Sequence, residues 1–159
     1  MEEHLDYYII KNIILYKPYY NNPLDESLLL GFKKLIFSNF QDLKKLAIYK
    51  NEIPPHLSLN NNNKFVGSKF NQLIPLIPNN LTSIEFGYMY NQPITLTKSL
   101  KSLKFGYMYN QPINLTNTSL NHLVFGNNFN QPIELNESLE LNNSTNFYDS
   151  DNFYQPFNF

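Results

Sequence analysis

Between Leu81 and Ile133 the apolar positions fall into one recurring pattern: Leu81-x-x-Ile84-x-Phe86, Leu100-x-x-Leu103-x-Phe105 and Leu120-x-x-Leu123-x-Phe125. Each triplet runs into a near-copy of a single aromatic and polar stretch. The copies are Phe86-Gly87-Tyr88-Met89-Tyr90-Asn91-Gln92-Pro93-Ile94, Phe105-Gly106-Tyr107-Met108-Tyr109-Asn110-Gln111-Pro112-Ile113 and Phe125-Gly126-Asn127-Asn128-Phe129-Asn130-Gln131-Pro132-Ile133. Their starts are 19 residues apart (105 − 86) and then 20 (125 − 105). A fixed period near twenty residues means coils that stack into a solenoid.

Within a coil, alternation sends Ile84 and Phe86 inward and Ser83 and Glu85 outward, the signature of a short strand. Gly87 follows at once, and a glycine at this place in every clear coil predicts a turn with positive φ. Proline has no N–H to donate, so Pro93, Pro112 and Pro132 cannot lie in a fully paired strand. The sheet is therefore expected at the Leu-x-x-Leu-x-Phe segment. The predicted fold is a right-handed repeat solenoid, with a parallel β-sheet of short strands on one face and turns opposite. Three ladders should hold it: Phe86, Phe105 and Phe125; Phe70, Tyr90, Tyr109 and Phe129; and Asn71, Asn91, Asn110 and Asn130, whose amides must bond backbone groups of their own or the next coil.

Outward from these coils the pattern decays. Phe70-Asn71-Gln72 lies 20 residues before Tyr90-Asn91-Gln92, with Leu73 where proline is expected, and Leu43-x-x-Leu46-x-Ile48 repeats the triplet two periods before Leu81. Downstream, Phe153-Tyr154-Gln155-Pro156-Phe157 echoes the turn after a spacing of 24. Near the N-terminus, Leu5, Tyr8, Ile9, Ile13 and Tyr16 share a helical face, as do Leu28, Phe32, Leu35, Ile36, Phe40 and Leu43, with Asp25 or Ser27 as a cap. The competing reading makes Tyr7–Ile10 and Ile13–Tyr16 strands, since both are rich in β-formers. The spacing favours an N-terminal helical cap that covers the open end of the solenoid. The expected organisation is a cap over 1–42, repeats over 43–141 with clear coils at 81–133, and a degenerate last coil or tail over 142–159.

The motif Phe/Tyr-Asn-Gln-Pro-Ile, preceded by Leu-x-x-Leu-x-Phe-Gly, resembles the FNIP repeat, a leucine-rich-repeat-like family abundant in social amoebae and giant DNA viruses. Phe125-Gly126 and Phe129-Asn130-Gln131-Pro132-Ile133 match its pattern closely, while the Tyr90 and Tyr109 coils vary one aromatic. The coils here are shorter than the family's usual length, and the Leu-Pro dipeptide before the strand survives only as Ile77-Pro78. The resemblance implies a protein-interaction module. Viral members often join such repeats to an F-box that recruits a ubiquitin-ligase core, which implies an adaptor in the host cytoplasm. Residues 1–45 contain no Leu-Pro opening of the F-box kind, so only the interaction module carries over.

Composition narrows the function further. The chain has 159 residues, a net charge of −1 and no cysteine. It thus lacks the basic footprint of a nucleic-acid or acidic-membrane binder, as well as a disulfide framework and cysteine chemistry. The acidic start Met1-Glu2-Glu3-His4 is unlike a signal peptide, and no apolar run approaches a membrane span. The expectation is a cytoplasmic monomer. Asparagine fills 26 positions, and six Asn-x-Ser/Thr sequons follow from that abundance. The three histidines, His4, His56 and His122, form no ligand pair, and neither a phosphate loop nor a Gly-x-Ser-x-Gly motif is present. No catalytic, cofactor-binding or metal-binding residues are assigned.

What remains is a surface. Ser83, Glu85, Ser102, Lys104, His122 and Val124 should point outward from the strands, with Tyr88, Tyr107 and Asn127 just past the glycines. Glu85 and Lys104 should pair across adjacent coils. Varied residues on a repeated frame suit recognition of a protein partner, not catalysis. The alternatives are a degenerate family copy without a partner and, less favoured, a hydrolase or nucleotide-binding enzyme.

Overall fold

The computed structural model describes residues 2–38 and 67–133. Its chain order is β1 (Glu2–Glu3), β2 (Tyr7–Ile10), β3 (Ile13–Tyr16), α1 (Glu26–Leu29), β4 (Lys34–Phe37), β5 (Ser83–Glu85), β6 (Ser102–Lys104) and β7 (His122–Val124). All seven strands form one sheet in sequence order. From β3 to β7 every pairing is parallel, and the registers Ile84↔Leu103 and Leu103↔Leu123 follow the repeat. The Asn-Gln-Pro-Ile segments lie outside the strands, as proline's missing donor requires. A β-solenoid with a mostly parallel sheet is thus the architecture.

The helical cap is not there. Tyr7–Ile10 and Ile13–Tyr16 form an antiparallel hairpin, with Tyr7↔Tyr16 and Ile9↔Ile14 paired, and Lys11 turns between them at φ 57. Eight β-branched, aromatic or leucine residues prefer the pleat, and the open edge of a parallel sheet offers them a ladder. The competing strand reading gives the correct spans here. The edge is then closed by β1, two glutamates long, a short charged strand that discourages further pairing. The second predicted helix shrinks to α1, four residues capped by the Asp25 carboxylate, which accepts from the Ser27 and Leu28 N–H groups. Leu35 and Phe37 belong instead to β4.

With β4 in place, Phe32-x-x-Leu35-x-Phe37 proves to be another apolar triplet, with all three side chains buried. Its coil is completed by Phe70, whose ring lies 3.8 Å from that of Phe37. Residues 39–66 intervene in sequence. The triplet at Leu43, Leu46 and Ile48 lies outside the described residues, as does the echo at Phe153–Phe157. β4 pairs directly with β5.

The first coil begins earlier still. Ile14-x-Tyr16 followed by Tyr20-Asn21-Asn22-Pro23-Leu24 matches Ile84-x-Phe86 and Tyr90-Asn91-Gln92-Pro93-Ile94 at a constant offset of 70 (84 − 14 and 93 − 23). Among the described residues, five successive levels therefore feed two aromatic columns. Tyr16, Phe37, Phe86, Phe105 and Phe125 stack at 5.3, 5.6, 5.4 and 5.6 Å between centroids. Tyr20, Phe70, Tyr90, Tyr109 and Phe129 stack at 6.0, 5.9, 6.1 and 6.0 Å. Within the repeats the two columns touch at 3.6 to 3.8 Å, and Ile14, Leu35, Ile84, Leu103 and Leu123 fill the space behind them.

Asparagine supplies the third ladder. The side-chain oxygens of Asn21, Asn71, Asn91 and Asn110 accept the N–H of Asn71, Asn91, Asn110 and Asn130 at 2.8 to 3.0 Å. Each also accepts from the amide of the following glutamine, Gln72, Gln92, Gln111 or Gln131. One carbonyl oxygen thus satisfies two donors of the next coil. The twentieth residue of the Phe105–Phe125 coil is taken up around Asn117, which adopts a left-handed φ of 58 that asparagine tolerates better than most residues.

The glycines overturn the turn prediction. None of them has a positive φ. A Cβ on Gly106 would overlap the Gly87 carbonyl and reach the Tyr88 nitrogen at 2.9 Å; one on Gly126 would overlap the Gly106 carbonyl and meet Tyr107 Cα at 2.7 Å. Glycine recurs because the coils approach too closely for any side chain.

One mismatch lies inside this core. The phenolic oxygens of Tyr90 and Tyr109 are buried, and neither has a hydrogen-bond partner among the described residues. Phe70 and Phe129 occupy the same column without a hydroxyl. We expect Tyr90→Phe and Tyr109→Phe each to raise the unfolding free energy by about 1 kcal/mol, measured by urea denaturation. Burial also pushes both phenols above their ordinary value of 10.0. The unfolded chain gives up these protons near pH 10 while the folded chain keeps them longer. Stability is therefore complete below pH 10 and falls as pH rises above it. The double phenylalanine variant should flatten that alkaline loss.

Candidate functional site

The strand face opposite the core is where sequence varies between coils. Strand alternation places Leu15, Ile36, Glu85, Lys104 and Val124 in one row across β3–β7, and Ile13, Lys34, Ser83, Ser102 and His122 in the next. Ser83, Glu85, Ser102, Lys104 and His122 are half-buried, as strand residues with neighbours on both sides should be. Val124 is buried, at 5% exposure, so it offers no contact surface. At the other end of the row Leu15 is equally covered, at 4%.

The expected charge pair changes partner. Glu85 stands opposite Lys104 in register, yet its carboxylate pairs with the Lys34 ammonium on β4. The helical spacing of Leu28, Phe32, Leu35 and Ile36 hides Lys34 in the sequence; the structure places it on β4. Both side chains are about one-third exposed, so the pair contributes well under 1 kcal/mol. Its consequence is electrostatic: the acid on this face is already neutralised, and Lys104 stands apart from it.

Past the glycines, Tyr88 and Tyr107 stack with centroids 5.0 Å apart and planes within 5°, both half-buried. Asn127 follows in the same row. The stack is held from beneath by the backbone: Met89 N–H donates to Ser68 O at 3.1 Å and Met108 N–H to Tyr88 O at 3.0 Å. These rings are thus fixed on a rigid ledge beside the strands. Met89, the next residue, is 37% exposed.

The histidines are dispersed. His4 stacks on Tyr7 and approaches Glu2 at 3.0 Å, His122 sits on β7, and His56 lies outside the described residues. Among the described residues no group of three His, Cys, Asp or Glu side chains is placed to hold a metal ion, and no helix is long and apolar enough to cross a membrane. Of the sequons, Asn114 accepts from the Thr116 N–H at 2.8 Å within its own turn, and Asn80 bridges coils. Its amide donates to Leu29 O and Phe32 O at 2.8 and 2.6 Å and ties the repeats to the N-terminal coils.

Stacked twenty-residue coils with aromatic, asparagine and glycine ladders define a β-solenoid repeat protein. Residues 70–96 and 90–117 match the family model for the FNIP Repeat, and these coils are FNIP repeats. No curated protein matches the chain, and no solved structure does.

Proposed function

We propose that the protein is a non-enzymatic interaction module that binds a protein partner on its strand face. The observation that supports this reading is the division of labour within each coil. Phenylalanine or tyrosine, asparagine and glycine recur where rings, amides and backbones stack, whereas the outward positions change from Lys34/Ile36 to Ser83/Glu85, Ser102/Lys104 and His122/Val124. A rigid frame with a variable face and a fixed aromatic pair suits recognition, and aromatic anchors carry most of the energy in many interfaces. The FNIP repeats favour this reading over an enzyme. The finer proposal is an adaptor that acts as a monomer in the cytoplasm, that of the host if the chain is viral, and presents its partner to a ubiquitin ligase.

Tyr88→Ala combined with Tyr107→Ala should weaken partner binding by about 2 kcal/mol, roughly thirtyfold, without unfolding the chain. The experiment is affinity capture from host lysate with wild-type and doubly substituted protein, followed by titration of the captured partner. Co-capture of ligase-core proteins supports the adaptor role, and specific partners without them leave the plain binding module. Capture that is identical for the two proteins removes this face from consideration.

A further inference from the structure

Register sets Lys34, Ser83, Ser102 and His122 side by side across β4–β7, so two serines stand between a lysine and a histidine. The two long residues are three ladder steps apart, about 14 Å, and the serines between them about 5 Å apart. Strand faces ordinarily carry β-branched or aromatic side chains, so paired serines leave a notch with a hydroxyl floor. Lys104 borders it in the next row. The Lys34–Glu85 pair shows that side chains on this face meet along the diagonal between adjacent strands. One strand on, the same diagonal runs from Ser83 to Lys104. Among the described residues, the Ser83 and Ser102 hydroxyls, the His122 ring and the Lys104 ammonium bond to no other group of the chain. Acid is scarce around them. From residue 67 to residue 133 the sequence holds Lys69, Lys98, Lys101 and Lys104 against Glu85 alone, and Lys34 neutralises Glu85.

We propose that this notch binds the phosphoryl group of a phosphoserine on a partner protein. The Ser83 and Ser102 hydroxyls donate to its oxygens, the Lys104 ammonium meets its charge, and His122 donates from the β7 side. Hydroxyls about 5 Å apart suit one acceptor group, since each O–H···O bond is about 2.7 Å long. A phosphoryl group offers three acceptor oxygens and close to two negative charges, enough for both hydroxyls and the ammonium together. A carboxylate has two oxygens and a single charge, and matches this set less well. The notch is only as deep as the difference in length between serine and its neighbours. A phosphate on the short serine side chain therefore reaches the floor while its peptide crosses the face. The inference rests on the strand face being the partner-binding surface and adds the chemistry that it recognises.

The test is an NMR titration of the isotope-labelled full chain with acetyl-Ala-Phe-phosphoserine-Ala-Phe-amide, beside its serine and glutamate versions and inorganic phosphate. The phosphoserine peptide should shift the amide signals of Ser83, Ser102 and Lys104 and bind at least about tenfold more tightly than the glutamate version. Lys104→Gln should weaken it at least about tenfold, and Lys104→Arg, which keeps the charge, should bind like wild type. Lys98→Gln removes the same charge in a turn between coils and should change nothing. Circular dichroism reads whether each variant is folded. Equal binding of the phosphoserine and serine peptides overturns the proposal, as do shifts confined to other residues. Inorganic phosphate that binds as tightly as the phosphoserine peptide marks an anion site only and overturns the docking of a peptide. Phosphatase treatment of the host lysate separates this proposal from the one it rests on. If the Tyr88→Ala/Tyr107→Ala protein loses its captured partner while wild type still captures it from treated lysate, the face stands and the phosphoserine fails. If neither change removes the partner, both readings fail.

Discussion

Gly106→Ala should lower the unfolding free energy by about 3 kcal/mol or more and leave a chain with a broadened, less cooperative transition. The added methyl has nowhere to go. It would overlap the carbonyl carbon and oxygen of Gly87, which are main-chain atoms held between stacked coils, so no rotamer change relieves the clash. The two coils must separate, and separation lengthens the ladder bonds from Lys104 O to Phe86 N and from Tyr88 O to Met108 N, now 2.8 and 3.0 Å. Gly31→Ala is the matched control. A Cβ there meets only Leu28 O, at an ordinary 3.8 Å, so the change should be neutral or slightly stabilising. Urea denaturation of both variants checks the contrast. Equal stabilities would show that coil spacing does not require glycine.

Asn91→Ala should cost about 2–3 kcal/mol, since it strips an acceptor from two donors at once. Those donors are the Asn110 N–H at 2.9 Å and the Gln111 side-chain amide at 3.3 Å, both on half-buried residues. Asn110→Ala should cost less, about 1 kcal/mol, because one of its two donors, the N–H of Asn130, belongs to an exposed residue that water can reach. Asn91→Asp keeps an oxygen in the same place and should lose less than half as much as alanine. If aspartate proves as damaging as alanine, the ladder does not work through that accepted pair of bonds.

These two effects divide what was legible from what was not. The asparagine ladder could be written down from the sequence, because a polar side chain that recurs in phase inside an apolar frame must find backbone partners. The two aromatic ladders were legible for the same reason, and the order β5, β6, β7 followed from their spacing. The candidate face was legible only in outline. Its outward positions follow from alternation, but alternation does not give the burial of Val124, and Glu85 takes Lys34, outside the clear repeats, in place of Lys104.

The N-terminal third was misread where local spacing and tertiary context disagreed. Leu5, Tyr8, Ile9, Ile13 and Tyr16 fit a helix by position, yet their residue types fit a strand, and the neighbouring sheet edge decided the matter. Tyr20-Asn21-Asn22-Pro23 carried the repeat signal, hidden because Tyr16-Lys17 stands where Phe86-Gly87 stands later. Lysine is allowed there because no earlier FNIP-type coil presses against it; its ammonium instead bonds Glu3 and the His4 carbonyl at 3.0 and 2.7 Å.

By itself, then, the sequence determined that coils of about twenty residues stack, which side chains form their columns, and that proline keeps the turns out of the sheet. Those follow from periodicity and from the chemistry of single residues. Only the tertiary structure decided that a β-hairpin closes the N-terminal edge, that β4 pairs with β5 across an interval of 49 residues between Leu35 and Ile84, and that glycine is required for closeness instead of for positive φ. Each of these depends on the distance between segments remote in sequence, which no local pattern encodes.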